Sequence, residues 1–307
     1  MLISAPRRGH LAMLAFSACV AGSFSLGGLV ANDIAPDVMT ALRLWCAAAV
    51  LGGVALCTTG LPRAAFAGVW RYALLGFLYG LYFVLMFEGL KTATPVSAAA
   101  VFTMSPLLAA GFGWLLLRQK LTGRMALALA IGAVGAVWVI FRADRAAVLR
   151  FQIGPGERIY FVGCIAHALY TPLVRKLNRG EAALVSSFGT VVAGALLLTL
   201  WSWRDLWATD WAALPAMVWV TLAYLTVFAT AASFVLLQFA SLRLPAAKVM
   251  AYTYLVPSWV ILWQLGLGGA VPVVWVLGGV GLTMLALGLL LRDEGVQNTP
   301  AMVANSP

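Results

Sequence analysis

Phe83-Val84-Leu85, then Ala100, then Pro106: the same residues return at the same spacing as Phe234-Val235-Leu236, Ala251 and Pro257. A second echo follows. Gly132-Ala133-Val134-Gly135 stands near the end of the first half of the chain, and Gly278-Gly279-Val280-Gly281 near the end of the second. The identities are few, but those of the first echo fall in register without a gap, and together the two echoes point to two copies of one helical unit. If each copy crosses a membrane an odd number of times, the second enters upside down. Inverted repeats of that kind are the usual build of a secondary carrier, with the binding site between the halves.

The repeat sits in a chain that cannot cover its own surface with polar groups. Hydrophobic residues make up 63% of it and charged residues 10%, with a mean hydropathy of +0.96. Soluble domains carry about 25% charged residues, so lipid is the expected solvent. With 307 residues there is no room for a sizeable soluble domain as well. The formal charge of +10 could suggest nucleic acid, but Lys and Arg gather in short connections between apolar runs. That is the chemistry of membrane flanks, not of a basic groove. Cys19, Cys46, Cys57 and Cys164 all fall inside apolar runs without CxxC spacing and read as small packing residues, not as disulfides or metal ligands.

A helix needs roughly 20 apolar residues to cross the hydrocarbon core. Ten runs qualify: 11–30, 38–57, 66–90, 94–117 and 125–141 in the first half, then 157–177, 182–201, 212–242, 245–265 and 272–291. The fold class expected is therefore an all-α membrane protein with ten transmembrane helices in two inverted five-helix repeats, 1–145 and 146–292, followed by a polar, disordered tail, 293–307. The eighth run is long enough that its start should be interfacial or tilted. The connections hold the breakers: Asn32-Asp33-Ile34-Ala35-Pro36, Gly60-Leu61-Pro62, Gly154-Pro155-Gly156 and Gly269-Ala270-Val271-Pro272. Arg7 and Arg8 ahead of the first run imitate a signal peptide, but its apolar part exceeds the roughly 7–15 residues of a signal core, and the first repeat needs it. With the N-terminus inside, most Lys and Arg fall on the cytoplasmic side, including Arg63, Arg71, Arg118, Lys120, Arg175, Lys176 and Arg243. The cluster Arg142, Arg145, Arg150 and Arg158 falls outside and breaks the pattern, partly offset by Asp144 and Glu157. An odd number of spans would bring that cluster inside. The expectation adopted is that both termini are cytoplasmic.

Ionisable residues within the runs are few: Arg43, Glu88, His167 and Lys248. Each is expensive there and a functional candidate by default. Arg43 and Glu88 lie just inside the outer ends of neighbouring spans, so they are expected to form a structural ion pair; the alternative is that each snorkels to the interface. Lys248, one turn into the ninth run, can snorkel or face a cavity. His167 is near mid-span, where snorkelling is hard; it packs through hydrogen bonds or faces a cavity with Tyr170, Thr171 and Pro172 beside it. No Asp or Glu lies near the middle of any run. Coupled carriers commonly place a carboxylate there, so facilitated, uncoupled exchange is the simpler expectation. No His–carboxylate set suits a metal and no Ser–His–Asp set is visible, so neither enzyme chemistry nor a cofactor is expected.

Trp and Tyr normally collect at membrane interfaces. Tyr79 and Tyr82 instead sit mid-way along the third run, three residues apart and hence on one helix face. The repeat matches them with Thr230 and Ser233, and matches Tyr252 with Val101. A buried phenol needs a partner or water, so Tyr79, Tyr82, His167, Tyr170, Tyr252 and Lys248 are the candidate substrate-binding residues, lining a wet cavity with aromatic walls. The competing reading is helix–helix packing. Pro106 and Pro257 leave the carbonyls four residues earlier without a helical donor, so both are expected to kink their helices and offer backbone oxygens to the cavity. Gly132, Gly135, Gly278 and Gly281 are expected to let helices approach closely.

Ten spans in two fives, a Pro midway in the fourth and ninth, and Gly-x-x-Gly in the fifth and tenth resemble the drug/metabolite transporter superfamily, EamA type, over essentially the whole chain. Ser105-Pro106-Leu107-Leu108 … Leu116-Leu117-Arg118-Gln119-Lys120-Leu121 is similar to that family's Pro … Leu-Gly-Glu-x-Leu pattern, with Gln119 where the Glu is usual. The mid-span aromatics look most like the YddG branch, which exports aromatic and other amino acids. The resemblance implies a multi-pass carrier of the bacterial inner (plasma) membrane. It would export neutral amino acids by alternating access, as a monomer or homodimer, with a small-molecule substrate and the lipid bilayer as its partners. A carrier of this superfamily for another metabolite, a sugar derivative or a drug is the alternative, and a membrane enzyme or structural protein a remote one.

Overall fold

The computed structural model describes residues 5–141, 153–269 and 274–291. Most of the central connection and the tail after Arg292 lie outside them. Every regular element among the described residues is helical. The first half holds α1 (Ala5–Val30), α2 (Pro36–Cys57), α3 (Trp70–Leu90), α4 (Pro95–Phe102), α5 (Ser105–Leu117) and α6 (Gly123–Ile140). The second holds α7 (Pro155–Leu177), α8 (Ala183–Trp201), the short α9 (Trp203–Ala208), α10 (Ala216–Thr226), α11 (Ser233–Ser241), α12 (Ala246–Ala251), α13 (Val256–Gly266) and α14 (Val274–Leu291). The breakers of the sequence set the starts. Pro36, Pro95 and Pro155 occupy first turns, where a missing N–H costs nothing. Thr94 and Thr122 accept the backbone N–H groups of Ser97 and Met125, as N-caps do.

The helices are apolar on both faces. Along α2, Leu44, Ala47, Ala48, Leu51 and Ala55 are buried, while Trp45, Val50, Val54 and Leu56 are exposed. A soluble helix would turn charge outward at those positions; here only hydrocarbon suits them. Among the described residues, eight helical stretches are long and apolar enough to cross a membrane: Arg7–Val30, Pro36–Cys57, Trp70–Leu90, Pro95–Leu117, Gly123–Ile140, Ala183–Trp201, Ala216–Ser241 and Val274–Leu291. The sequence led us to expect ten. The sixth run is the helix α7, but Glu157, Arg158, Arg175 and Lys176 dilute its ends. The ninth is divided into α12, a 3-10 turn at Tyr252–Leu255 and α13. The excess length of the eighth run has two sources. Its helix begins only at Ala216, and its middle, Val227–Ala232, is wound as a π-helix between α10 and α11.

Matching helices of the two halves run in opposite directions. Trp45 of α2 reaches Thr199 of α8, and Gly52 faces Phe188. Trp138 of α6 bonds the Trp275 carbonyl, and Gly135 faces Gly279 on α14. The packing also survives exchange of the halves: α3 lies along α7 as α1 lies along α11, and α5 meets α7 as α13 meets α1. The second half is thus the first turned over.

Glycines set the closest crossings. A Cβ at Gly135 would meet the Gly279 carbonyl at 2.7 Å, and one at Gly279 the Gly135 carbonyl at 2.8 Å. Gly278 and Gly281, expected at this contact, have nothing within 4 Å among the described residues; both are exposed. Backbone cannot move aside as a side chain can, so Gly279→Val should destabilise the protein by about 1–3 kcal/mol, read as detergent melting. Gly278→Val, one residue along, should leave it unchanged. Equal melting of the two variants would refute this register.

Both prolines of the repeat mark breaks. α4 stops at Phe102, and α5 begins at Ser105 with Pro106 in its first turn. The 3-10 turn Tyr252–Leu255 precedes α13, with Pro257 in the first turn. Gln119 joins the same two segments at their other ends. Arg118 adopts φ 53 beyond α5, and the Gln119 amide oxygen then accepts the Ala246 N–H at 3.1 Å. It caps a helix of the other half, a task that a carboxylate could also perform.

A buried clasp ties α3 to α7 and α8 at one end. Arg71 Nη2 meets Glu181 Oε1 at 2.8 Å, with the side chains 3% and 6% exposed. Arg71 also donates to the carbonyls of Leu177, Ala65 and Ala67. The Arg179 N–H donates to Glu181 Oε2 at 2.6 Å. Gly68, at φ +84, turns the chain beneath the Arg71 and Arg179 guanidiniums, a backbone shape that favours glycine. At the other end of the same helix pair, Gly89 and Gly156 bring backbone against backbone.

Candidate substrate-binding site

α3 points Tyr79, Tyr82 and Phe83 inward, and α7 crosses it carrying Tyr160, His167 and Tyr170. The His167 ring centroid lies 4.4 Å from that of Tyr82 and 5.6 Å from that of Tyr79. Tyr79 lies 5.1 Å from Tyr170. Phe102, at the end of α4, lies 5.3 Å from His167 in an edge contact. α11 closes the group with Phe234, the repeat partner of Phe83, whose ring is 3.8 Å from Tyr79. Both halves therefore build the cluster.

Its polar tips are only partly satisfied. The Tyr160 hydroxyl donates to Tyr82 at 3.2 Å. Gln238 Nε2 donates to the Tyr170 hydroxyl at 3.0 Å, while Gln238 Oε1 has no partner among the described residues. The Ser233 side chain, which the repeat matches with Tyr82, lies beside the Tyr79 hydroxyl, and its own hydroxyl donates to the Ala229 carbonyl at 2.8 Å. His167 Nδ1 has no partner among the described residues. Buried polar atoms are normally paired, and a group of unpaired ones among ring faces is chemically ready for a polar, partly aromatic guest.

The cluster is closed: Tyr79, Tyr82, His167 and Tyr170 are each no more than 2% exposed. The wet cavity expected from the sequence is a packed one here. A cleft of about 480 Å³ opens elsewhere, between the α1–α2 connection (Asp33, Ile34, Ala35) and the segment before α10 (Thr209, Asp210, Ala213, Leu214, Pro215).

The structure brings together four of the six candidates, Tyr79, Tyr82, His167 and Tyr170. Tyr252 lies at the 3-10 turn, where its hydroxyl is 3.1 Å from Nδ1 of His10 on α1. Lys248 is buried on α12, and that segment touches the cluster's flank where Thr171 donates to the Met250 sulfur at 3.3 Å. The ion pair expected between Arg43 and Glu88 is not formed. Glu88 binds Lys91 at 2.7 Å, one turn along its own chain. It stands two residues from the end of α3 and is 41% exposed. Arg43 is two turns into α2 and wholly buried, so the two differ in depth. Arg43 instead crosses to the π segment, donating from Nε to Thr230 Oγ1 at 2.9 Å and from Nη2 to the Ala229 carbonyl at 3.2 Å. Its flat face covers Phe83 at 3.6 Å.

As site residues, sequence reasoning missed Phe83, Phe102, Tyr160, Phe234 and Gln238. Phe234 could have been found, since it belongs to the repeat that decides the fold. Gln238 is a lone amide in an apolar run and carried a weaker signal of the same kind as His167.

A multi-pass membrane protein of two turned-over halves, with a polar and aromatic centre between them, has the build of a carrier. The chain belongs to the EamA-like transporter family: the family model matches it twice, over residues 7–141 and 155–292. It is therefore a membrane transporter of the drug/metabolite superfamily. It is 25% identical over 294 residues, 95% of each chain, to the uncharacterized transporter YyaM of Bacillus subtilis (strain 168). It is 28% identical over 194 residues to an S-adenosylmethionine/S-adenosylhomocysteine transporter of Chlamydia trachomatis serovar L2, covering 60% of this chain and 59% of that one. A crystal structure of a protein 20% identical shares the fold, with a TM-score of 0.68 over 94% of this chain and 98% of the other.

Proposed function

We propose that the chain exports neutral amino acids, aromatic ones above all, across the bacterial inner membrane by alternating access. The observation that carries this reading is the closed ring cluster shared by the two halves, with unpaired polar atoms at His167 and Gln238. Ring faces accept many apolar side chains, and the unpaired atoms suit the polar end of an amino acid. The carrier would cross the membrane ten times, α7 and the divided α12–α13 stretch completing two inverted sets of five, and would work without a coupling ion. A second reading comes from the Chlamydia relatives. S-adenosylmethionine and S-adenosylhomocysteine each carry an amino-acid end and an adenine ring, so they need the same two kinds of partner. Uptake into proteoliposomes of labelled phenylalanine, threonine and S-adenosylmethionine separates the readings. Phenylalanine uptake is expected; uptake of S-adenosylmethionine alone would replace the first reading with the second.

The Lys/Arg asymmetry supports cytoplasmic termini. A single Cys placed at Asp144 should react with an impermeant reagent outside intact cells, and one at Lys176 should be protected. The reverse pattern would invert the protein.

A further inference from the structure

Arg43 is the largest fully buried side chain among the described residues, and the way it is held is unusual for a structural arginine. Three contacts fix it: Thr230 Oγ1 on Nε, the Ala229 carbonyl on Nη2, and the Phe83 ring under its flat face. All three are neutral. Nη1 has no acceptor among the described residues. A guanidinium carries five N–H donors, and an uncompensated buried charge is costly. A purely structural arginine would use its free edge on a carbonyl or a carboxylate. This one is locked in orientation with one edge left open.

Its surroundings say what could use that edge. Phe83, which Arg43 covers, is in edge contact with Tyr79 at 4.6 Å. Thr230, which fixes Nε, follows Ala229 in the π segment and lies one helical turn from Ser233, whose side chain is beside the Tyr79 hydroxyl. Arg43 thus borders the ring cluster. His167 Nδ1 and Gln238 Oε1, buried in that cluster, also lack partners among the described residues. One is the amide oxygen of Gln238, an acceptor; the other belongs to a ring that can donate or accept according to tautomer.

We infer that Arg43 is the anion anchor of the transport site, taking the carboxylate of the substrate on Nη1, while Gln238 Oε1 takes its ammonium group. This rests on the reading of the ring cluster as the substrate site and adds to it a requirement. Substrates must bear a carboxylate, and an aromatic amine or alcohol of the same shape is rejected. The cost of the open edge in the empty protein is the counterpart of that selectivity. Removing the charge should relieve it.

The test uses purified protein in detergent and in proteoliposomes. Phenylalanine should raise the melting temperature of the wild type, and phenylalaninol, its alcohol, should not. Arg43→Gln should melt above the empty wild type, lose the phenylalanine shift, and transport phenylalanine at least tenfold more slowly. Arg43→Lys keeps the charge without the flat fork and should fall between. An Arg43→Gln protein that keeps both the phenylalanine shift and wild-type transport overturns the anchor while leaving the transport reading intact. If the wild type responds to no amino acid and not to S-adenosylmethionine, the transport reading fails. The anchor is then decided by a panel of other organic carboxylates and their amides. A carboxylate that stabilises the wild type and not Arg43→Gln upholds it, and none doing so overturns it. If both variants fail to fold, equal shifts of the wild type with phenylalanine and phenylalaninol overturn it.

Discussion

Tyr79→Ala, Tyr82→Ala and His167→Ala are each expected to slow phenylalanine transport about tenfold or more, and threonine transport less. Aromatic pairs contribute about 0.5–1.5 kcal/mol each beyond the area they bury, and each of these residues stands among several rings. His167 alone lies within 6.5 Å of Tyr79, Tyr82, Phe102, Tyr170 and Phe16. A ring lost from the wall removes one or two such pairs with a bulky guest, close to 1.4 kcal/mol, which is a factor of ten. A small guest has fewer pairs to lose. Tyr82→Phe is the control for packing, since it removes the Tyr160 hydrogen bond and keeps the ring. The measurement is counterflow in proteoliposomes, with each variant checked for folding by melting. Alanine variants that fold and carry both amino acids at wild-type rates would reduce the cluster to packing.

The largest effect on stability should come from the clasp. Removing one member of a buried pair leaves the other charge stranded and costs about 3–5 kcal/mol. Arg71→Met and Glu181→Gln should each lower the melting temperature sharply. The double variant should recover part of the loss, because no stranded charge remains. Plain additivity would show that the two do not act as a pair. Acid should mimic the Glu181 change. Burial alone would raise the Glu181 carboxyl; the Arg71 guanidinium and the Arg179 backbone N–H outweigh it and hold it below its ordinary value of 4.5. A carboxylate depressed in the folded state contributes stability that is complete above the ordinary value. That contribution is lost as pH falls through the folded one. Melting followed downward from pH 6 should drop more steeply in the wild type than in Glu181→Gln.

Much of this architecture was legible because membranes leave few options for a backbone. Twenty-residue apolar runs must be helices, and Pro95, Pro155 and Thr94 fall where a helix must begin. The repeat at Phe83 and Phe234 was readable for the same reason that it matters: both rings point to the centre. Tyr79, Tyr82, His167 and Tyr170 stood out because polar tips in mid-span are rare. Depth was harder to read. Arg43 and Glu88 seemed level when counted from span ends, but α2 begins at Pro36 and carries Arg43 two turns inward. Rotation was harder still. Gly278, Gly279 and Gly281 look alike in sequence, and only the packing on α6 shows which one is spent on the crossing. Nothing in the chain announced the π winding of Val227–Ala232, since its residues suit an α-helix equally well.

That winding belongs to one half only. α3, the matching helix, is regular from Trp70 to Leu90, and both hydrogen bonds of Arg43 go to the wound segment. A carrier made of two identical inverted halves would have inward-open and outward-open forms of equal energy, because turning the molecule over converts one into the other. Here the halves are unlike at their centre, so that degeneracy is lifted, and each 1.4 kcal/mol of difference shifts the two populations tenfold. An uncoupled carrier so biased still brings its substrate to the same concentration on both sides. It saturates at different concentrations on its two faces, and the face that is open at rest is the one that binds first.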